Sequence, residues 1–277
     1  MSYVSLLKES VEFKLLFSQS EHLLQGLHSS KQKGDGIEFF DLREYCAGDD
    51  PRRIDWKVTA RLQEPFVREF QEDRDAVHHV FLDCSASVKN KLLPMQVLAA
   101  SSLLSSYKQA DALSLTLFSG SLFPSSTAKG KKHLSALLYR LSQHVPSGKA
   151  DLCGLFFFIL STFKKRCIIT LISDEMEFDE EALSLLAQIA RRHKVIFFHV
   201  YNSSEKELSF GQQALEDSES GEELLFDLSD EQVMKYQILY DSALRTVREQ
   251  MKRIGVRLFQ IDAARSLQAC LKGVRTL

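Results

Sequence analysis

From residue 77 onward the chain alternates apolar strand and helix, and few architectures accept that pattern. VHHVFLD (77–83), ALSLTLFSG (112–120), RCIITLIS (166–173), KVIFFHVYN (194–202) and VRLFQIDA (256–263) are rich in Val, Ile, Leu and Phe. They lack the polar alternation of a sheet with one wet face, so helices are expected to cover both faces. Helical periodicity fills the gaps: LLPMQVLAASSLLSSYKQ, KHLSALLYRLSQH, DLCGLFFFILSTF, EEALSLLAQIARRH and EQVMKYQILYDSALRTVREQMKRIG. The alternation predicts an α/β fold with an open, doubly wound, mainly parallel sheet of Rossmann type.

Two regions stand outside this alternation. Residues 4–28 place Leu7, Val11, Leu15, Leu23, Leu24 and Leu27 at helical spacing, and a charge-dense stretch follows to residue 76. The expected organisation is therefore an N-terminal helical and charge-rich extension, 1–76, packed on a main domain, 77–277. Within that domain 203–230 (SSEKELSFGQQALEDSESGEELLFDLSD) is acidic and turn-rich and reads as a surface excursion.

A formal charge of −2 and a pI near 6.5 exclude a nucleic-acid binder held by phosphate neutralisation. Five cysteines without a CxxC pair point to reduced thiols, neither a disulfide framework nor a zinc site. No N-terminal stretch has the order of a signal peptide, and LCGLFFFILSTF is too short to span a bilayer and reads as a buried helix. A cytoplasmic protein without a transmembrane segment is expected.

Chemistry concentrates where the first strand ends. Ligands of open α/β sheets bind outside the carboxyl ends of the strands, where the strand order reverses. Asp83 ends one strand, with Ser85 and Ser87 following at alternate positions, and Asp174 ends another. Together they make a hard, oxygen-only donor set of the kind that suits Mg²⁺. The same residues would also serve simply to cap the turn and the helix that follows.

Asp83-Cys84-Ser85-Ala86-Ser87 resembles the D-x-S-x-S motif of von Willebrand factor A domains. The resemblance implies a metal-ion-dependent adhesion site formed by Asp83, Ser85, Ser87 and Asp174, with one position open for a partner's carboxylate. It also implies a Thr in a second loop. That loop corresponds to PSGKADL (146–152), where Ala150 stands in the place of the Thr. The change removes one direct ligand. Lys149 beside it is a cation that disfavours Mg²⁺ and a candidate counter-charge for the carboxylates.

Residues 34–75 are the most distinctive stretch. Arg43, Arg53, Arg61 and Arg68 interleave with Glu44, Asp50, Asp55 and Glu69, an arrangement expected to form ion pairs pinning an irregular segment to the sheet. Gly48-Asp49-Asp50-Pro51 reads as a turn opening a short helix, and Trp56 is expected to bury its ring. IEFFDLREYCAGDDPRRIDWKVTAR, continuing to VREF and then the D-x-S-x-S strand, strongly resembles bacterial domain-of-unknown-function family fifty-eight. That family carries this signature ahead of a von Willebrand factor A-like domain. The resemblance implies a protein partner, an AAA+ ATPase of the MoxR branch, for which such chains act as adaptors or assembly factors without established catalysis.

Enzymatic readings fit less well. A phosphotransferase of the haloacid-dehalogenase type needs a second Asp two residues after its nucleophile, where this chain has Ser85; a receiver domain needs an acidic pair that Asp83 lacks. A Mg²⁺-dependent phosphatase using Asp83, or a scaffold with a vestigial rim, is the alternative to an interaction module. The eight histidines form no H-E-x-x-H and are expected to pack or face solvent.

Overall fold

The computed structural model describes residues 33–34, 38–45, 52, 54–71, 76–206, 211–216 and 223–264. The helix expected over 4–28 lies outside them. The chain divides into two compact units, one within Gln25–Asp75 and one that includes everything from Ala76 onward.

In the first unit, β1 (Lys33–Gly34), β2 (Glu38–Glu44) and β3 (Phe66–Gln71) form an antiparallel sheet in the order β1-β3-β2, with helix α1 (Trp56–Leu62) ahead of β3. The charged block is thus not irregular. A bulge between Phe39 and Asp41 sets Phe40 out of register, which hides the two-residue period of a strand in the sequence. Asp55 starts α1: its Oδ1 accepts from the N–H groups of Lys57 (3.0 Å) and Val58 (3.2 Å). The cap is therefore Asp55, while the turn expected at Gly48–Pro51 lies outside the described residues. Trp56, the first residue of α1, is 69% exposed, which corrects the expectation that its ring is buried. The expected ion-pair network rests mostly on side chains outside the described set.

The second unit is a six-stranded sheet in the order β11-β8-β7-β4-β5-β6. Its strands are β4 (Val77–Asp83), β5 (Ala112–Phe118), β6 (Leu122–Pro124), β7 (Ile168–Ser173), β8 (Lys194–Tyr201) and β11 (Arg257–Asp262). All neighbours run parallel except β5 and β6, an antiparallel edge pair that the sequence reading did not anticipate. Counted along the chain, the strands lie in Rossmann order, so the order reverses between β4 and β7. This is the doubly wound, mainly parallel sheet expected from the alternation.

Helices α2 (Leu92–Lys108), α3 (Lys131–Gln143), α4 (Leu152–Thr162), α5 (Glu180–Arg192) and α6 (Asp230–Ile254) surround the sheet. Strand residues alternate between its faces. Phe81, Ile169, Leu171 and Phe197 join a cluster with Leu155, Phe156 and Ile159 of α4, Leu186 and Ile189 of α5, and Val247 and Met251 of α6. Burying a ring such as Phe156 contributes about 2–3 kcal/mol. α4 is buried along one side only: its Phe157 is exposed. On the opposite face His78 meets Ser106 of α2 and Thr170 of β7; His79, next to it in β4, shares the face of Phe81 and stacks on Phe163 with ring centres 3.9 Å apart. Both histidines serve packing, as expected.

The excursion contains more structure than its composition promised. β9 (Gly211–Glu216) and β10 (Glu223–Leu228) pair antiparallel as a separate ribbon; its tip, 217–222, lies outside the described residues. α6 follows at once. A capping box opens it, with Ser229 Oγ accepting from Gln232 N–H and Gln232 Oε1 accepting from Ser229 N–H, and Gly255 at φ 77° ends it.

Candidate functional site

The reversal between β4 and β7 puts two strand ends side by side, and the four residues singled out from the sequence meet there. Leu82 pairs with Ile172, so Asp83 lies level with Ser173. Ser173 Oγ donates to Asp83 Oδ2 at 2.7 Å, and the turn that follows brings Ser85 N–H to Asp83 Oδ1 at 2.9 Å. A short 3₁₀ helix, Ala86–Asn90, then carries the chain toward α2. Ser85 Oγ lies 3.0 Å from Ser87 Oγ, and Ser87 Oγ donates to Asp174 Oδ1 at 3.2 Å. Asp83, Ser85, Ser87 and Asp174 therefore line one lip of the sheet in a continuous run of hydrogen bonds.

The second loop lies against this turn. Ser147 N–H donates to Cys84 O at 2.9 Å, and Ala86 N–H donates to Gly148 O at 2.8 Å. Gly148 adopts φ 73°, a left-handed conformation that glycine takes without strain. Asp151 caps α4 by accepting from Gly154 N–H at 2.8 Å. Between them Ala150 packs against the hydrophobic cluster and brings no oxygen to the rim, and Lys149 is exposed.

A buried cation stands at the rim. Lys91, at the junction of the 3₁₀ helix and α2, places its Nζ 2.8 Å from Asp174 Oδ2 and 3.0 Å from Glu205 Oε1. The Lys91 and Asp174 side chains are each 8% exposed, whereas that of Glu205 is 38% exposed. Glu205 belongs to a 3₁₀ turn, Ser203–Lys206, just past β8. That turn is tied down by Ser203 N–H to Asp262 Oδ1 (3.0 Å), Tyr240 Oη to Asn202 O (2.9 Å), and the Lys206–Asp241 ion pair (2.7 Å). Strand ends β4, β7 and β8 thus contribute Asp83, Asp174 and Glu205 in succession, and Lys91 bridges the last two. Sequence reasoning missed both Lys91 and Glu205. The one available signal was a lysine a helical turn beyond Ser87.

The electrostatics divide the site in two. Burial pushes the Asp83 carboxyl up to about 6; the hydrogen bonds from Ser173 and Ser85 oppose this and the charge of Asp174 adds to it. Burial works against the Lys91 charge, yet Asp174 and Glu205 together hold its ammonium above the ordinary range. His199, wholly buried on β8, is pushed down to about 4 by burial despite the opposing pull of Asp174, and so stays neutral at physiological pH. Lys91 is then the charge that balances Asp174.

This arrangement does not fit Mg²⁺. Both oxygens of Asp83 accept protein hydrogen bonds, and those of Asp174 are engaged by Ser87 and an ammonium. Ala150 supplies no ligand, and an octahedral dication beside Lys91 would meet repulsion at short range. Among the described residues, no group of three or more His, Cys, Asp or Glu is placed to hold a metal ion.

The family described as "Protein of unknown function DUF58" matches residues 41–249, three quarters of the chain, taking in most of the charged block and the whole rim. The chain belongs to the DUF58 family. Among similar proteins, the uncharacterized proteins Rv1480 of Mycobacterium tuberculosis H37Rv and Mb1516 of Mycobacterium bovis are each 29% identical over 211 residues, covering 72% of this chain. The chain spans 66% of those relatives' length. Similar solved structures include a von Willebrand factor type A protein from Catenulispora acidiphila (11% identity, TM-score 0.42, 90% of this chain and 50% of that one). Another is an aerotolerance-related membrane protein from Bacteroides fragilis (12% identity, TM-score 0.40, 73% of this chain and 100% of that one). Among the described residues of this DUF58 chain, no helix is long and apolar enough to cross a membrane.

Proposed function

We propose that this DUF58 protein is a non-enzymatic interaction module, an adaptor or assembly factor for a MoxR-type AAA+ ATPase. Its rim of Asp83, Ser85, Ser87, Asp174 and Lys91 engages an acidic side chain of that partner. The observation that carries the reading is the convergence of these side chains at the reversal point of the sheet, where α/β sheets present their ligand sites. Binding is favoured over catalysis because Asp83 is 1% exposed with both oxygens hydrogen-bonded, a poor position for attack on a phosphoryl group. The free thiols of Cys84, Cys153 and Cys167 suit a reducing compartment, and the cytoplasm is the proposed setting.

The test is capture of the purified ATPase by immobilised wild-type and Asp83→Ala chains, with circular dichroism as the check on folding. The variant is expected to stay folded and to lose at least about tenfold in affinity, because the turn that presents Ser85 and Ser87 loses its anchor on Asp83. Equal capture by both chains would remove the rim from the interaction. Turnover of a phosphate ester, lost in Asp83→Asn, would replace the binding reading with an enzymatic one.

A further inference from the structure

We infer that Lys91 is the resident cation of the rim in place of a metal, and that Glu205 occupies in cis the seat that a partner's carboxylate takes on binding. This rests on the interaction reading above and names the chemistry of its site. Lys91 lies almost wholly beneath the surface, with Asp174 on its buried side at 2.8 Å and Glu205 on its open side at 3.0 Å. An ammonium offers three donors and no acceptor, so a carboxylate approaching from solvent completes its shell as Glu205 does now. The two carboxylates differ in how firmly they are placed. Asp174 adjoins β7 and also accepts from Ser87, and its side chain is 8% exposed. The Glu205 side chain is 38% exposed on a four-residue turn, and among the described residues its carboxylate is held by the Lys91 ammonium alone. Glu205 is therefore the exchangeable one.

The turn that carries it is built to yield without unfolding the sheet. Its anchors hold the backbone while the carboxylate projects over Lys91: Tyr236 Oη donates to Glu205 O at 3.2 Å, and Glu205 N–H donates to Asn202 O at 3.1 Å. A rotamer change swings the carboxylate into water and opens Lys91, at the cost of one partly exposed ion pair. A partner residue that replaces it re-forms the pair and adds its own contacts. The site thus accepts an acidic peptide without Mg²⁺, and the cis carboxylate lowers its affinity for isolated acids.

Two measurements on the full chain test this. The first follows free Mn²⁺ by electron paramagnetic resonance during titration with protein. The wild type is expected to leave Mn²⁺ free to millimolar concentrations, and micromolar binding lost in Asp174→Asn would overturn the inference. The second measures fluorescence anisotropy of a labelled oligoglutamate peptide at fixed low salt, with oligoglutamine as the control. Glu205→Gln is expected to bind it roughly two- to fivefold more tightly than the wild type, the worth of one partly exposed ion pair. Lys91→Met in that background is expected to abolish binding. Unchanged, weaker or undetectable binding by Glu205→Gln overturns the inference, as does full binding by a folded Glu205→Gln/Lys91→Met chain; should Lys91→Met not fold, Glu205→Gln alone decides. Failure here with ATPase capture still dependent on Asp83 leaves the interaction module standing with a different rim chemistry. Loss of the Asp83 dependence removes the module itself.

Discussion

Asp83 is a carboxylate held where a neutral side chain would be more comfortable. Its carboxyl titrates near 6 because burial penalises the charge more than Ser173 and Ser85 relieve it. The folded state therefore binds a proton more readily than the unfolded chain between about pH 4 and 6. Stability attributable to Asp83 falls as pH rises through that window, by up to about 3 kcal/mol. Asp83→Asn removes this dependence. In thermal melts the variant should gain on the wild type between pH 4 and pH 6.5 and be the more stable at pH 7.5; a constant difference across that range, with the wild type ahead, would contradict the account. His79 and His199, both pushed down to about 4 by burial, act in the opposite sense: the unfolded chain takes up protons first, so their share of stability is lost as pH falls from 6.5 toward 4. A buried acid retained at such a cost is the mark of a residue kept for a task. Its position was legible from the sequence because an apolar strand ended on it. Lys91 was not: Lys89 and Lys91 are equivalent in the sequence, and only the 3₁₀ turn decides that Lys89 is exposed and Lys91 points inward.

Among the elements, the loop 146–151 does the most with the least. Its backbone holds the turn after β4 through Ala86 N–H to Gly148 O and Ser147 N–H to Cys84 O. Gly148→Ala meets no clash, since its new methyl would lie 4.0 Å from Ser119 Oγ, but it must hold φ 73°. The expected cost is about 1–2 kcal/mol, read as a fall in Tm of roughly 2–8 °C for a domain of this size, together with weaker partner capture. An unchanged Tm would mean that the left-handed conformation is not what the loop needs. The helices of the main domain were legible from their long, clean period, and the central strands from unbroken apolar runs buried on both faces. The ribbon of β9 and β10 was not, because GQQALE and ELLFDL carry too many polar residues to read as strands. Nor was the sheet of the charged block, where Phe40 sits in a bulge between Phe39 and Asp41. Trp56 illustrates the same limit: a lone tryptophan is expected inside, and only the placement of α1 leaves it 69% exposed.

At the scale of the molecule, the sheet order turns local motifs into a site. Alternation of strand and helix gave the fold class, but not which strand neighbours which. The order β8-β7-β4 is what lines up Asp83, Asp174 and Glu205 along one edge and brings Glu205, 114 residues from Lys91, within 3.0 Å of it. Asp83 and Asp174 were foreseeable as a pair, since both close apolar strands; Glu205 sits beyond a strand end, on a turn with no signature of its own. On the proposed function, this one edge receives the partner. Hydrogen exchange read by mass spectrometry, with and without the AAA+ ATPase, tests it most directly. Slowed exchange is predicted at 83–91, 146–151, 173–177 and 202–206, the loops around the rim. Protection confined to the opposite edge of the sheet, at 109–111, 164–167 and 193–194, or to residues 25–75 alone, would contradict it.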